Sequence, residues 1–498
     1  MTGYFPPAAA QKAARKPART GWALRLGPSM VSLSALLWAA PALAQTTIST
    51  NSTAPLATSK SGDITINGGA SVKPASGAAV TVDSNNLVAN NGLIQFQDVD
   101  NATGILVKGG FTGSVFNNGT IQVDENFSAP TNDSGIPHGP IAKGTGRYGI
   151  RLVGPGDFTG DIFNGSTGGG ISVKGNNSYG ISLESNLVGQ LTNVGTLSVT
   201  GDNTVGIRTT GNVSGTVTVG GNISATGLGA QAVNLGGDVG GQVLINGSVA
   251  STGYSFTSRS TSTSFLKQLQ ADNLLQGGPT VTVGGSVAKG IVVDISSVDS
   301  AGAALTSTGT ISSISSAPAL LVGGAAGHNI TLGNVDATTA PFGLDIRGTV
   351  VGSGIYDGKS ATAVQLGVTD GGAVDTSGGI RVSGTVGASA YAASATAMHL
   401  NGGVTAPVIR NDGAIVGTMS SDAQGATARG ILIEAGANVQ ALLNADSISA
   451  SVAGQKADVA AVVDRSGTLS EVENVGTIAA GRTFTDINQP VTGHNIAL

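Results

Sequence analysis

Short runs of alternating apolar and polar residues recur along this chain at a nearly fixed interval. Tyr148-Gly149-Ile150-Arg151-Leu152 is followed by Tyr179-Gly180-Ile181-Ser182-Leu183, then Val205-Gly206-Ile207-Arg208-Thr209, then Gln231-Ala232-Val233-Asn234-Leu235. The aligned apolar residues Ile150, Ile181, Ile207 and Val233 lie 31, 26 and 26 positions apart. Alternation of this kind predicts strands with one buried face. Behind each opening run come a glycine-punctuated segment and a closing run, such as Gly195-Thr196-Leu197-Ser198-Val199. The unit therefore carries three short strands. A period of this length made only of strands and turns predicts a solenoid, in which each rung buries its apolar face against its neighbours. Adjacent Gly-rich turns also permit a hairpin reading. Three runs per unit favour stacked parallel sheets instead.

The same pattern resumes at Thr280-Val281-Thr282-Val283. Later opening runs are read at Gly343-Leu344-Asp345-Ile346, Ala363-Val364-Gln365-Leu366, Ala397-Met398-His399-Leu400, Gly430-Ile431-Leu432-Ile433 and Ala461-Val462-Val463-Asp464. Val364, Met398, Ile431 and Val462 are 34, 33 and 31 apart. The expected fold is an all-β parallel β-helix with excursion loops. It should have roughly fifteen rungs, stacked at about 4.8 Å into a rod of about 70 Å. Ile, Leu and Val should point inward, with Ser, Thr and Asn outward.

The chain divides on these patterns as follows. Residues 45–87 form an N-terminal cap and first rungs, and 88–253 a regular β-helix interrupted by a Pro-rich excursion at 125–147. Residues 254–277 form a second excursion, where Phe265, Leu266 and Leu269 have helical spacing. Residues 278–498 form a looser β-helix. Excursions of this kind sit on one face of a repeat array and are natural places for binding.

A corner motif recurs: Asn, a spacer, Gly or a small polar residue, then an apolar strand residue. Examples are Asn193-Val194-Gly195-Thr196-Leu197, Asn411-Asp412-Gly413-Ala414-Ile415, Asn444-Ala445-Asp446-Ser447-Ile448 and Asn474-Val475-Gly476-Thr477-Ile478. Asn and Gly tolerate the left-handed region that a tight corner asks for. Stacked Asn side chains can also bond to their equivalents above and below.

Composition sharpens this picture. The 498 residues include 78 Gly, no Cys and 11% charged residues. Collagen would require Gly at every third position, which is absent. Ordered apolar alternation argues against disorder. Without Cys there are no disulfides, so stability must come from a continuous core. Residues 1–44 read as an export signal. Five cations precede the apolar run Met30–Ala40, and Ala42-Leu43-Ala44 offers small residues at the two positions a signal peptidase reads, with cleavage expected between Ala44 and Gln45. Removing those five cations leaves 19 Lys+Arg against 29 Asp+Glu, a charge of −10. An acidic chain argues against nucleic acid and anionic membranes as partners.

The basic extended leader, the lack of Cys and the Asn-Gly-punctuated rungs together resemble the passenger region of a Gram-negative type V autotransporter. That resemblance implies a right-handed parallel β-helix on the cell surface or outer membrane, or released to the extracellular space. It further implies a role in adhesion, aggregation or biofilm formation. Family members end in a membrane barrel with aromatic girdles. Here Trp occurs only at Trp22 and Trp38, and the chain ends Asn495-Ile496-Ala497-Leu498. The expectation is a passenger lacking that barrel and truncated at its C-terminus, so that membrane attachment would come only through a barrel this chain lacks.

Candidate chemistry is thin. Asn132-Asp133-Ser134-Gly135 approaches the nucleophile motif that some passengers use but lacks its leading Gly, and reads as a turn. β-Helical polysaccharide lyases and hydrolases are the rival class, and they need clustered acids. Asp98 and Asp100 could share one face of a strand, and His138-Gly139 faintly echoes a motif of that class. His138, His328, His399 and His494 have no ligand spacing. His399 reads as an outward strand residue. Gly358-Lys359-Ser360 matches only the tail of a phosphate loop. The reading is a non-enzymatic protein with no catalytic residues, no metal and no cofactor. Its partner would be a surface ligand, whether a polysaccharide or a host or neighbouring-cell component.

Overall fold

The computed structural model describes residues 45–165, 170–294, 309–338, 340–484 and 488–498. The export signal expected at residues 1–44, with Ala42 and Ala44 of its cleavage site, lies outside them. Gln45 is the first residue of the first strand, Gln45–Ile48. Three parallel sheets dominate, with 16, 13 and 14 strands; we call them sheets 1, 2 and 3. The chain visits them in turn. Ser114–Asn117 lies in sheet 1, Thr120–Asp124 in sheet 2 and Tyr148–Val153 in sheet 3. Ile162–Asn164 then returns to sheet 1 beside Ser114–Asn117, one rung on. This is a parallel β-helix.

The opening runs stack in the register their spacing implies. Ile150 pairs with Ile181, Ile181 with Ile207 and Ile207 with Val233, all inside sheet 3. Val364, Met398, Ile431 and Val462 do the same in later rungs. One opening run is misplaced by the sequence reading. Leu344–Ile346 belongs to sheet 1, between Ile291–Val293 and Ile380–Val382, while Leu320–Val322 fills the sheet 3 position. Inward-facing alternation looks alike in every sheet, so only pairing could tell the two apart.

In the later rungs the period is longer because the strands are longer. Val404–Asn411 and Ala414–Ser421 have eight residues each, against three for Leu191–Asn193. The added length carries a second, Ala-rich core that includes Ala361, Ala390, Ala395, Met419, Ala428 and Val459. At the last strands the side chains lie open, with Val475 75% and Phe484 57% exposed.

Two features of the corner between sheets 1 and 2 differ from the sequence reading. The Asn residues of the corner motif point inward: Asn90, Asn117, Asn164, Asn193 and Asn411 have no exposed surface. Most donate to the equivalent Asn one rung on, while Asn193, at the end of its run, donates to the Gly195 and Gly220 carbonyls. Asn90 Nδ2 donates to Asn117 Oδ1, Asn117 to Asn164 and Asn164 to Asn193, every bond 2.7 Å. The column then turns apolar through Val219, Ile245, Val293, Ile346 and Val382, and becomes a ladder again at Asn411, Asn444 and Asn474. A buried amide is tolerated only where both its ends are bonded.

The corner glycines are needed for space rather than for left-handed backbone. A Cβ on Gly195 would lie 2.1 Å from Gly165 O, one on Gly247 2.2 Å from Gly221 O, and one on Gly413 2.2 Å from Gly384 O. Among those six residues only Gly221, at φ 64°, has positive φ. Each rung thus rests its backbone on the carbonyl of the rung before.

Candidate functional site

The excursions leave the helix at the corner between sheets 2 and 3. The first, after Thr120–Asp124, is closed at its base by a buried ion pair. Arg147 donates through Nη1 to Glu125 Oε2 at 3.0 Å, and both side chains are almost wholly buried. The Glu125 carboxylate also accepts from the Lys143 and Gly144 amides at 2.8 and 2.6 Å. Arg147 spends its other donors on Asp100 Oδ1 and on the carbonyls of Val99 and Lys174. A buried pair is stable only with such complete partnering.

The second excursion, 254–277, contains the one-turn helix Thr263–Leu266 and a 3₁₀ turn at Ala271–Asn273. It docks against the first. Asp272 Oδ2 accepts from the Gly139 amide at 2.8 Å, and Asn273 Nδ2 donates to Pro137 O at 2.7 Å. The Gly139 N–H holds the Asp272 carboxyl below its ordinary range, with His138 3.5 Å away adding to the effect. On its other side, Arg259 Nη2 donates to both Asp357 carboxylate oxygens at 3.0 and 3.1 Å, and its guanidinium lies over the Tyr391 ring. Tyr254 packs edge-on against Tyr356, whose hydroxyl donates to Phe256 O. Segments far apart in sequence thus share one lateral platform, and much of its polar bonding potential is spent within it.

The residues singled out for chemistry do not assemble. Asp98 and Asp100 lie in the turn beyond Leu93–Gln97, not on a strand. Asp98, at φ 56°, binds the Asn126 amide and side chain, while Asp100 binds the Thr145 amide and Arg147. Asn132-Asp133-Ser134-Gly135 is a side-chain-capped turn in which Asn132 Oδ1 accepts from the Ser134 and Ile136 amides. Gly358-Lys359-Ser360 is a turn between two strands, with Lys359 bridging antiparallel to Tyr391. Of the four histidines, His138 faces Asp272, His399 faces Glu434 and His494 faces Asp458, while His328 sits in a separate turn.

The outward face of sheet 3 carries a cluster that alternation alone does not single out. There Tyr148 and Tyr179 stack at 5.2 Å, with Arg151 over the first ring at 4.2 Å and Arg208 over the second at 4.7 Å. Glu184 lies between the two arginines. It takes a fork of 2.9 and 3.0 Å from Arg151 and stands 3.9 Å from Arg208. Burial pushes the Tyr148 hydroxyl above its usual range, against the opposing pull of Arg151. Further along the same face lie His399, Arg429, Glu434 and Arg465. Glu434 holds Arg465 at 3.1 Å, and His399 Nε2 sits buried 3.6 Å from Glu434, beyond hydrogen-bond reach. Burial lowers the affinity of His399 and Arg429 for their protons, Glu434 opposes this at both, and Arg465 adds to it. The signal that could have found this face was in the opening runs, where Arg151 and Arg208 occupy the same position after the glycine.

No protein family, curated protein or solved structure matches this chain.

Proposed function

We propose that this chain is an exported, non-enzymatic surface protein of a Gram-negative cell, displayed on the cell or released from it, whose work is adhesion or cell–cell contact. The observation that carries the reading is the β-helix itself. Three continuous parallel sheets present long, rigid, outward faces, and the excursions that could have built a pocket are bonded to one another and to the turn around Asp357. A surface that is repeated along an axis suits engagement of an extended partner, because each rung adds a similar small contact. The sequence of the leader supports export.

The test is expression of the complete gene in a Gram-negative host. The expected result is a mature chain beginning at Gln45, accessible to added protease on intact cells, with increased cell aggregation or attachment. A chain that keeps Met1 and stays in the cytosol would overturn the reading.

A further inference from the structure

We propose that the outward face of sheet 3 binds a linear acidic polysaccharide, laid along the rungs from the Tyr148–Arg208 cluster to Arg429. This deepens the adhesive role above by naming the chemistry of the partner, and it rests on that role.

The first observation is the distribution of charge. Registered along sheet 3, the outward positions from Arg208 through Asn234, Thr282, Leu321 and Gln365 to His399 contain no carboxylate. Arg429 follows one rung later, beside Thr396. An otherwise acidic chain thus carries a stripe whose fixed charges on these positions are cationic, with Glu184 and Glu434 beside its two ends. Six rungs separate the level of Arg208 from that of Arg429, about 29 Å at the spacing of stacked strands.

The second observation is unspent donors. Glu184 is shared by two arginines, and its fork is taken by Arg151. Arg208 keeps only the 3.9 Å approach to Glu184 and its seat on the Tyr179 ring. The Tyr148 and Tyr179 hydroxyls form no hydrogen bond among the described residues. Arg429 is half-buried and has neither an ion pair nor a hydrogen bond among those residues; the like charge of Arg465 presses on it, and the carboxylates of Glu434 and Asp458 offset this only in part. A half-buried guanidinium whose donors are unspent favours an anion arriving from outside.

The chemistry of the partner follows from these donors. Guanidinium forks match planar carboxylates, and phenol hydroxyls match sugar hydroxyls. The exposed ring faces of both tyrosines are already covered by arginine or by each other, so bases have no free platform on which to stack. Duplex DNA, with one charge per about 1.7 Å, is more densely charged than a polysaccharide with one carboxylate per sugar, and the acidic remainder of the chain repels it the more strongly.

The experiment measures binding of the purified full-length protein to alginate, to neutral dextran and to duplex DNA, over a range of salt. The expected result is salt-sensitive binding to alginate alone. Arg208→Ala with Arg429→Ala should weaken it by about tenfold or more. Arg208→Lys with Arg429→Lys should keep part of the affinity, and Lys267→Ala, in the second excursion, should leave it unchanged. Circular dichroism and the melting midpoint check that each variant is folded. Unchanged alginate affinity in a folded double-alanine variant, absence of alginate binding, or DNA binding of equal strength would each overturn the proposal. Cell attachment is read separately, so adhesion through another face would remain visible if this one failed.

Discussion

Asn117 and Asn164 are 47 positions apart in sequence and share a 2.7 Å hydrogen bond in an interior that neither exposes to solvent. Each is the last residue of its strand in sheet 1, and the bond repeats to Asn90 on one side and Asn193 on the other. Asn164→Ala would strand the Asn117 donor and the Asn193 acceptor at once. The expected loss is about 2–4 kcal/mol, the cost of two orphaned buried groups. Chemical unfolding followed by circular dichroism measures it. A change within about 0.5 kcal/mol would show that water replaces the ladder without penalty.

The glycine column gives a second prediction. Gly247→Ala puts a Cβ 2.2 Å from a backbone carbonyl that cannot swing away. The chain must open the stack locally, costing about 3 kcal/mol or more. Gly135→Ala is the control, because its Cβ would meet nothing and only the φ of 75° is strained, at about 1 kcal/mol. Equal effects of the two would mean that the stack accommodates a Cβ at Gly247 and that close approach does not select glycine at the corner.

Breaking the Glu125–Arg147 pair from one side should be worse than removing both partners. Arg147→Met leaves a buried carboxylate, with an expected cost of about 3–5 kcal/mol, while Arg147→Met with Glu125→Leu should recover much of it. Limited proteolysis within 126–146 reports the opening of the first excursion. No increase in cleavage with Arg147→Met would remove the ion pair from its assigned place as the closure.

The joint between the two excursions should loosen in acid. The folded state holds the Asp272 carboxyl below its unfolded value, so the stability it contributes is present above that unfolded value. It is lost as pH falls through the folded one. Amide exchange at Gly139, corrected for the intrinsic pH dependence, should therefore accelerate at pH below the ordinary carboxylate range, and Asp272→Asn should flatten the response. An unaltered profile in that variant would assign the effect elsewhere.

Incubation of the protein with acidic polysaccharides should release no new reducing or unsaturated ends, because Asp98 and Asp100 are both engaged in holding turns. Turnover on any of them would restore the enzyme reading and require a site other than these residues.

By itself the sequence determined the rung. Alternation at 26–34 residue intervals placed Ile150, Ile181, Ile207 and Val233, and later Val364, Met398, Ile431 and Val462, in columns that the structure realises pair by pair. Local periodicity suffices there because side-chain direction in a strand is fixed by residue parity. The tertiary structure decided what parity cannot encode. It assigned Leu344–Ile346 to sheet 1, and it turned the corner asparagines inward, where only a partner one rung away makes their burial tolerable. It brought Asp272 to Gly139 across 133 positions. It also gathered Arg208, His399 and Arg429 on one face, through the register of strands that are remote in the chain. Each of these depends on contacts between distant segments, whose partners are chosen by packing and hydrogen bonding in the assembled stack rather than by neighbours in sequence.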